Sequence, residues 1–224
     1  MLGGHPCPPS ESNRSLRSLL TASLWHPFRW NDSLLLVLAS ASPQRRAILE
    51  QLGIAFDVRP THVEELEEGE PGFLAAENAR RKAVAGRAAL SDADGGRSVV
   101  LACDTVVALG GRVYGKPADP AQARAFIADL AGATHEVLGA LAVALPDGRI
   151  LERTDRTLVT FAPLDQGQVA EYVATGEWVG RAGGYAIQQR GGALIEGIEG
   201  DYLNVVGLPV PALRTLVQGL VRPF

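Results

Sequence analysis

Cysteine is nearly absent: Cys7 and Cys103 are the only two in 224 residues, and they form neither a CxxC pair nor a disulfide framework. That excludes a small stapled scaffold and is the usage of a reducing cytosol, so a cytoplasmic location is expected. No apolar run approaches the roughly 18 residues of a membrane span, so no membrane partner is expected. His5, His26, His62 and His135 are scattered without zinc-type spacing. There is no P-loop, no GxSxG, no GxGxxG and no internal repeat. Positive charge is not in surplus either. Lys and Arg number 21 against 25 Asp and Glu, a formal net charge of −4. Coating a nucleic-acid backbone needs a basic surface, so no nucleic-acid partner is expected. One small anion held by a local cluster of cations remains open.

What is present is a chain with 46% apolar residues, enough for a sizeable core. Residues 1–33 read as a poorly ordered extension, rich in Pro, Ser and Gly at first and then carrying a short apolar patch cut by Pro27. Its apolar patch is too short and interrupted for a signal peptide. Residues 34–224 read as one folded domain. Leu34 to Ala39 is a buried strand, and Ser42-Pro43 is an N-cap followed by Pro at the first helical position. "IAFDVRP" reads as a second strand and "THVEELEEGEPG" as an acidic loop. An Ala-rich helix runs from Pro71 to about Leu90. "SVVLACDTVVALGGRVYGKP" is a strand, a tight turn and a short return strand. Asp119-Pro120 opens a helix, and two long strands follow, joined by a Pro-Asp-Gly turn. Asp165 caps the next helix. The last third gives a Gly-rich loop, a strand or hairpin, and a helix after Pro209. Helices and strands alternate with hairpins between them, so the fold class is α/β with an elongated mixed sheet and flanking helices.

Several residues could carry chemistry. A helix N-terminus is a ready anion site, and here Ser40, Ser42, Arg45 and Arg46 surround one. The plain alternative is a capped surface helix. Asp104 interrupts an apolar strand, where a carboxylate is costly unless paired, metal-bound or lining a cleft; the alternative is a strand-end turn. Lys116, between Gly115 and Pro117, sits on stiff backbone and suits a phosphate. Lys82 lies among Arg80, Arg81 and Arg87, which by itself reads as a solvated basic face. The run Glu64, Glu65, Glu67 and Glu68 contains candidate Mg2+ ligands or is simply a solvated loop. Gln188, in "YAIQQR" between pairs of glycines, has donors and acceptors enough to read a base edge, or belongs to a hairpin.

Five blocks occur in order: "LASASPQRRAILEQLG", "ENARRKA", "CDTVV" followed by "GKP", "AGGYAIQ" and "GDYLNVVGLPV". Together they resemble the Maf family of nucleoside triphosphate pyrophosphatases over Leu36 to about Leu220. The resemblance implies two lobes around a cleft, in the architecture shared with inosine triphosphatase-type enzymes. It implies hydrolysis of a nucleotide between the α and β phosphates, with Mg2+ or Mn2+ as cofactor, and a homodimer, for which the residues give no separate argument. By the same resemblance Asp104 is the proton acceptor and Glu65 is assigned to the metal; an aspartate is a weak base at neutral pH unless a metal also acidifies the water, so Asp104 is expected to face the metal as well. Ser40, Arg45, Lys82 and Lys116 surround the triphosphate. Thr105 and Gln188 are tied to base choice, as is Gln44, which stands where the dTTP/UTP-type members carry an arginine. The 7-methyl-GTP type commonly has Trp there and Gln in place of the threonine. Thr105 and "YAIQ" point to pyrimidine triphosphates first. The alternatives are a 7-methyl-GTP pyrophosphatase, a purine-type enzyme acting on inosine or xanthosine triphosphate, and a non-enzymatic cell-division regulator.

Overall fold

The computed structural model describes residues 29–30, 34–218 and 220–222. Within the stretch expected to be a poorly ordered extension, Arg29–Trp30 forms strand β1, which pairs antiparallel with β9 (Val221–Arg222). The rest of that extension lies outside the described residues.

One seven-stranded mixed sheet organises the chain. Its order is β3 (Asp57–Val58), β2 (Leu35–Leu38), β4 (Ser98–Leu109), β6 (Thr134–Ala144), β7 (Ile150–Phe161) and β8 (Ile195–Glu199), with β5 (Arg112–Tyr114) folded back onto the end of β4. The β2–β3 and β2–β4 pairs are parallel, and the other pairs are antiparallel. The expected strand "IAFDVRP" shrinks to the exposed pair Asp57–Val58, because it lies at the sheet edge with nothing to cover it. Among the described residues, no helix is long and apolar enough to cross a membrane.

Local sequence sets the helix starts. Ser42, Glu70, Asp119 and Asp165 each accept a backbone N–H from the first turn of α1 (Pro43–Gln51), α2 (Pro71–Ala88), α4 (Pro120–Leu130) and α5 (Gln166–Ala174). Proline occupies the first turn of α1, α2 and α4, where its missing N–H costs nothing. Three short helices complete the set: α3 (Asp92–Gly95), α6 (Tyr202–Val206) and α7 (Val210–Leu216). The segment around "YAIQQR" is not a hairpin. It is a compact loop between two 3-10 turns, Ala182–Gly184 and Arg190–Leu194. It folds so tightly that a Cβ on Gly191 or Gly192 would sit 2.6 Å from the carbonyl oxygen of Ala186 or Ile187.

Each face of the sheet has its own core. On one face Leu38, Leu101, Cys103 and Leu141 pack against Ile48 and Leu49 of α1 and Leu213 of α7. On the other, Val37, Val100, Ala102, Ala140 and Ala142 meet Leu74, Ala75, Ala79 and Ala83 of α2. Small residues let α2 approach closely: a Cβ on Gly86 would lie 2.9 Å from Val100 Cγ1 and 3.0 Å from Ala39 Cβ. A third core, with Tyr114, Ile127, Phe161, Tyr172 and Tyr185, fills the far end of the long strands. The molecule therefore has two lobes bridged by β4, β6 and β7.

Strand lengths leave an opening between the lobes. Strand β2 pairs with β4 only up to Leu38 opposite Leu101, and β5 rejoins β4 at Val107 opposite Tyr114. Among the described residues, no strand covers that edge of β4 from Ala102 to Val106.

Candidate active site

Asp104 and Thr105 sit in the middle of this opening, and successive strand residues point to opposite faces. Asp104 therefore turns to α2, and Thr105 to α1. Asp104 is only 7% exposed, so it is a carboxylate buried inside a strand rather than the turn residue of the plainer alternative.

Helix α2 explains how that carboxylate is tolerated. Its buried stripe runs Leu74, Ala75, Asn78, Ala79, Lys82, Ala83 and Gly86. Lys82 belongs to this stripe and not to the solvated basic face that its neighbours suggest. Its Nζ lies 2.6 Å from Asp104 Oδ1 and 2.7 Å from Glu65 Oε1. Arg80 and Arg81 face outward and pair with Glu77. One turn before Lys82, Asn78 pins the acidic loop: Leu66 N–H donates to its Oδ1 at 2.8 Å, and its Nδ2 donates to Leu66 O at 3.0 Å. Asn78 Nδ2 also reaches Asp104 Oδ2 at 3.5 Å, so Oδ2 is the more weakly held carboxylate oxygen. Burial pushes the Glu65 carboxyl up. The hydrogen bond from Lys82 and the charges of Lys82, Lys116 and Arg45 outweigh it, so Glu65 titrates below the usual range.

The opposite wall is the N-terminus of α1. Arg45 donates through Nε to Gly207 O at 2.9 Å, through Nη1 to Ser40 Oγ at 2.9 Å and through Nη2 to Thr105 Oγ1 at 3.2 Å. The guanidinium is thus held rigidly, yet it makes no ion pair among the described residues. Arg46, the other arginine of the pair, pairs with Glu50 on the surface. Gln44 accepts the Ser42 hydroxyl on its Oε1 at 3.2 Å.

These walls enclose a cleft of about 900 Å3. That is near the upper end for small-molecule sites. The structure brings to it the nine residues that the resemblance assigned, Ser40, Gln44, Arg45, Glu65, Lys82, Asp104, Thr105, Lys116 and Gln188, together with Ser42 and Glu67, whereas the other candidates, Arg46, Glu64 and Glu68, do not line it. Lys116 and Gln188 are exposed at its rim. Sequence reasoning missed Asn78, whose signal was its place four residues before Lys82 on one helical stripe. It also missed Arg181, which lines the same cleft. Four cations and three carboxylates, Glu65, Glu67 and Asp104, line the space. Two of those carboxylates already share Lys82, so the remaining field favours an anion.

Among the described residues, no group of three or more His, Cys, Asp or Glu converges as a metal cage. Glu65 and Asp104, on one ammonium, are two hard oxygen donors side by side. Such a pair fits a divalent ion that takes its other ligands from water and phosphate, as Mg2+ commonly does.

The family model described as "Maf-like protein" matches residues 35–220. A dTTP/UTP pyrophosphatase of Moorella thermoacetica is 45% identical over 185 residues, covering 81% of this chain and 93% of that one. One of the same name from Anaeromyxobacter sp. is 42% identical over 197 residues, covering 84% and 91%. Among solved structures, the Staphylococcus aureus Ham1 protein aligns with a TM-score of 0.45 at 15% identity, over 82% of this chain and 98% of that one.

Proposed function

The chain belongs to the Maf family, and we propose that it hydrolyses nucleoside triphosphates between the α and β phosphates, releasing a nucleoside monophosphate and pyrophosphate, with dTTP and UTP as the preferred substrates. The observation that carries the proposal is Asp104: a buried carboxylate at an edge of a central strand that no strand covers among the described residues, facing a cleft whose Arg45, Lys116 and Arg181 make no ion pair among them. The identity to relatives named for dTTP and UTP supports the choice of substrate.

The residues divide the work. A triphosphate brings about four negative charges, which Arg45 and Lys116 meet without first leaving a carboxylate. Arg45 keeps one N–H on each Nη for phosphate while Ser40, Thr105 and Gly207 fix its plane. Lys82 holds Asp104 by Oδ1, and that leaves Oδ2 to accept a proton from the attacking water. The water oxygen then forms the new P–O bond as the bond to pyrophosphate breaks. Glu65 and Asp104 would hold a Mg2+ or Mn2+ ion, whose chemistry is to polarise phosphate oxygens and acidify water. The Ser42 hydroxyl engages Gln44 Oε1, which leaves the Gln44 amide donors for a ligand, and such donors suit the carbonyl edges of uracil and thymine. The reaction belongs in the cytoplasm on this reading, where the buried free thiol of Cys103 stays reduced. A homodimer is part of the proposal and is read by light scattering.

The test is a nucleotide panel with Mg2+ or Mn2+, scored for pyrophosphate against phosphate release. Pyrophosphate from dTTP and UTP is the expected result, and Asp104→Asn lowers turnover on the order of 10²–10³ or more. Near wild-type turnover of that variant would remove Asp104 from its role. Faster hydrolysis of 7-methyl-GTP than of dTTP and UTP would overturn the base preference, and absence of pyrophosphate from every nucleotide would end the proposal.

A further inference from the structure

Arg181 is a cation on the cleft wall that none of the roles above uses. It opens the Ala182–Gly184 turn, whose backbone is fixed from two sides. In front, Gly183 N–H donates to Gly115 O at 3.1 Å, and Gly184 lies against Pro117 so closely that a Cβ would be 3.1 Å from Pro117 Cγ. Both glycines hold φ values near +70°, where a side chain would be strained. Behind, the Tyr185 hydroxyl meets buried His135 Nε2 at 2.9 Å, and Ala186 N–H donates to the Tyr172 hydroxyl at 3.0 Å. Arg181 and Lys116 therefore project from one stiff wall.

The side chain itself has no match for that order. Its Nε is buried with no hydrogen-bond partner, and it makes no ion pair among the described residues. A buried donor left unbonded is destabilising. Other arginines differ. Arg87, also partly buried, donates to the carbonyls of Gly95, Ser98 and Pro146. Arg97, Arg124, Arg153, Arg190 and Arg214 are exposed, where water serves them. A partly buried guanidinium without an anion, on the wall of a cleft whose other cations face phosphate, is shaped for one more anionic oxygen.

We propose that Arg181 is a further substrate-binding residue that, with Lys116, grips the terminal phosphates released as pyrophosphate. The assignment to that end follows from position. Arg45 is bonded to Thr105, next to Asp104, whereas Arg181 opens a turn that is bonded to Gly115, next to Lys116. This rests on the pyrophosphatase reading.

The experiment compares wild type, Arg181→Gln, Arg181→Lys and the exposed control Arg190→Gln. It measures KM for dTTP, and it measures binding of inorganic pyrophosphate and of dTMP by calorimetry in excess Mg2+. Loss of a charge-assisted contact raises KM and weakens pyrophosphate about 10-fold or more in Arg181→Gln. Arg181→Lys recovers part of this, while dTMP binding and the control stay within about twofold of wild type. Unchanged pyrophosphate binding in Arg181→Gln overturns the inference, and so does equal weakening of dTMP. Because calorimetry needs no turnover, wild type that binds pyrophosphate through Arg181 yet hydrolyses no nucleotide would sink the proposed function and leave the Arg181 contact standing.

Discussion

Replacing Lys82 with Met keeps the aliphatic stem and removes only the ammonium that Asp104 and Glu65 share. The Lys82 and Asp104 side chains are each 10% exposed, whereas the Glu65 side chain is 41% exposed. Water can rescue Glu65 but not Asp104, so the cost falls on the buried pair. Removing one partner of a buried pair costs about 3–5 kcal/mol, and the low end applies because Asp104 borders an open cleft. About 3 kcal/mol in a chain of this size lowers the melting temperature by about 6–12 °C. The sign of the pH dependence follows from Glu65. Its folded pKa lies below the ordinary value of 4.5, so in wild type it adds stability above that value, and this is lost as pH falls through the folded pKa. Lys82→Met lacks that contribution, so the gap between the two proteins is widest at neutral pH and narrows towards acid. Adding Asp104→Asn to Lys82→Met removes the orphaned charge and recovers most of the loss. Mg2+, which replaces the missing positive charge between the carboxylates, raises the melting temperature of Lys82→Met more than that of wild type. Thermal melts at pH 3 and pH 8 read all of these, since the lower pH lies on the acid side of the ordinary carboxylate value. A Lys82→Met protein that melts with wild type at both pH values would refute the reasoning, and a double variant no more stable than the single one would refute the part that assigns the cost to Asp104.

Two further perturbations test the scaffold under the cleft. Gly139→Ala places a Cβ 1.8 Å from Asn204 Oδ1, and Asn204 cannot retreat without breaking its bonds to Val137 O and Thr157 Oγ1. Overpacking plus stranded buried polar groups should cost about 3 kcal/mol or more, visible in urea unfolding, and wild-type stability would mean that Asn204 is not held as described. His135 is wholly buried, and burial lowers its pKa to about 4. The unfolded chain therefore binds a proton below about pH 6.5 that the folded chain refuses, so stability falls by about 3 kcal/mol from pH 6.5 to 4. His135→Gln should flatten that part of the profile, and an unchanged slope would assign it to other groups.

Much of this was legible because it is local. Ser42-Pro43, Asp119-Pro120 and Asp165 name their helix starts whatever the rest of the chain does. The motif blocks supplied eight of the nine expected cleft residues, and the acidic loop supplied the ninth, Glu65. Lys82 shows the limit of reading composition. Its basic neighbours suggest a solvated face, whereas its spacing from Leu74, Ala75, Asn78 and Ala79 puts it on the core stripe. Asn78 escaped notice because its role depends on the loop at Leu66, which no helical pattern predicts. The "YAIQQR" segment carries hairpin composition, yet its glycines serve close approach to the loop's own carbonyls, a tertiary fact. Strand "IAFDVRP" fell short because edge strands have one neighbour to hold them.

The feature least visible in the sequence organises the site: the gap beside β4. A 12-residue strand next to a 4-residue one leaves bare edge, and alternation along that edge sends Asp104 to one wall and Thr105 to the other. The wall behind Asp104 must then supply a counter-charge within reach of a lysine side chain. The alanine and glycine face of α2 meets that need, since larger residues at Ala75, Ala79, Ala83 or Gly86 would push the helix away and carry Lys82 and Asn78 with it. The small residues that look like plain core filler are therefore a condition for keeping a carboxylate inside the strand. On this logic the helix cannot be repacked with larger side chains for stability without loosening Lys82 from Asp104, so packing and chemistry on this face are under one constraint.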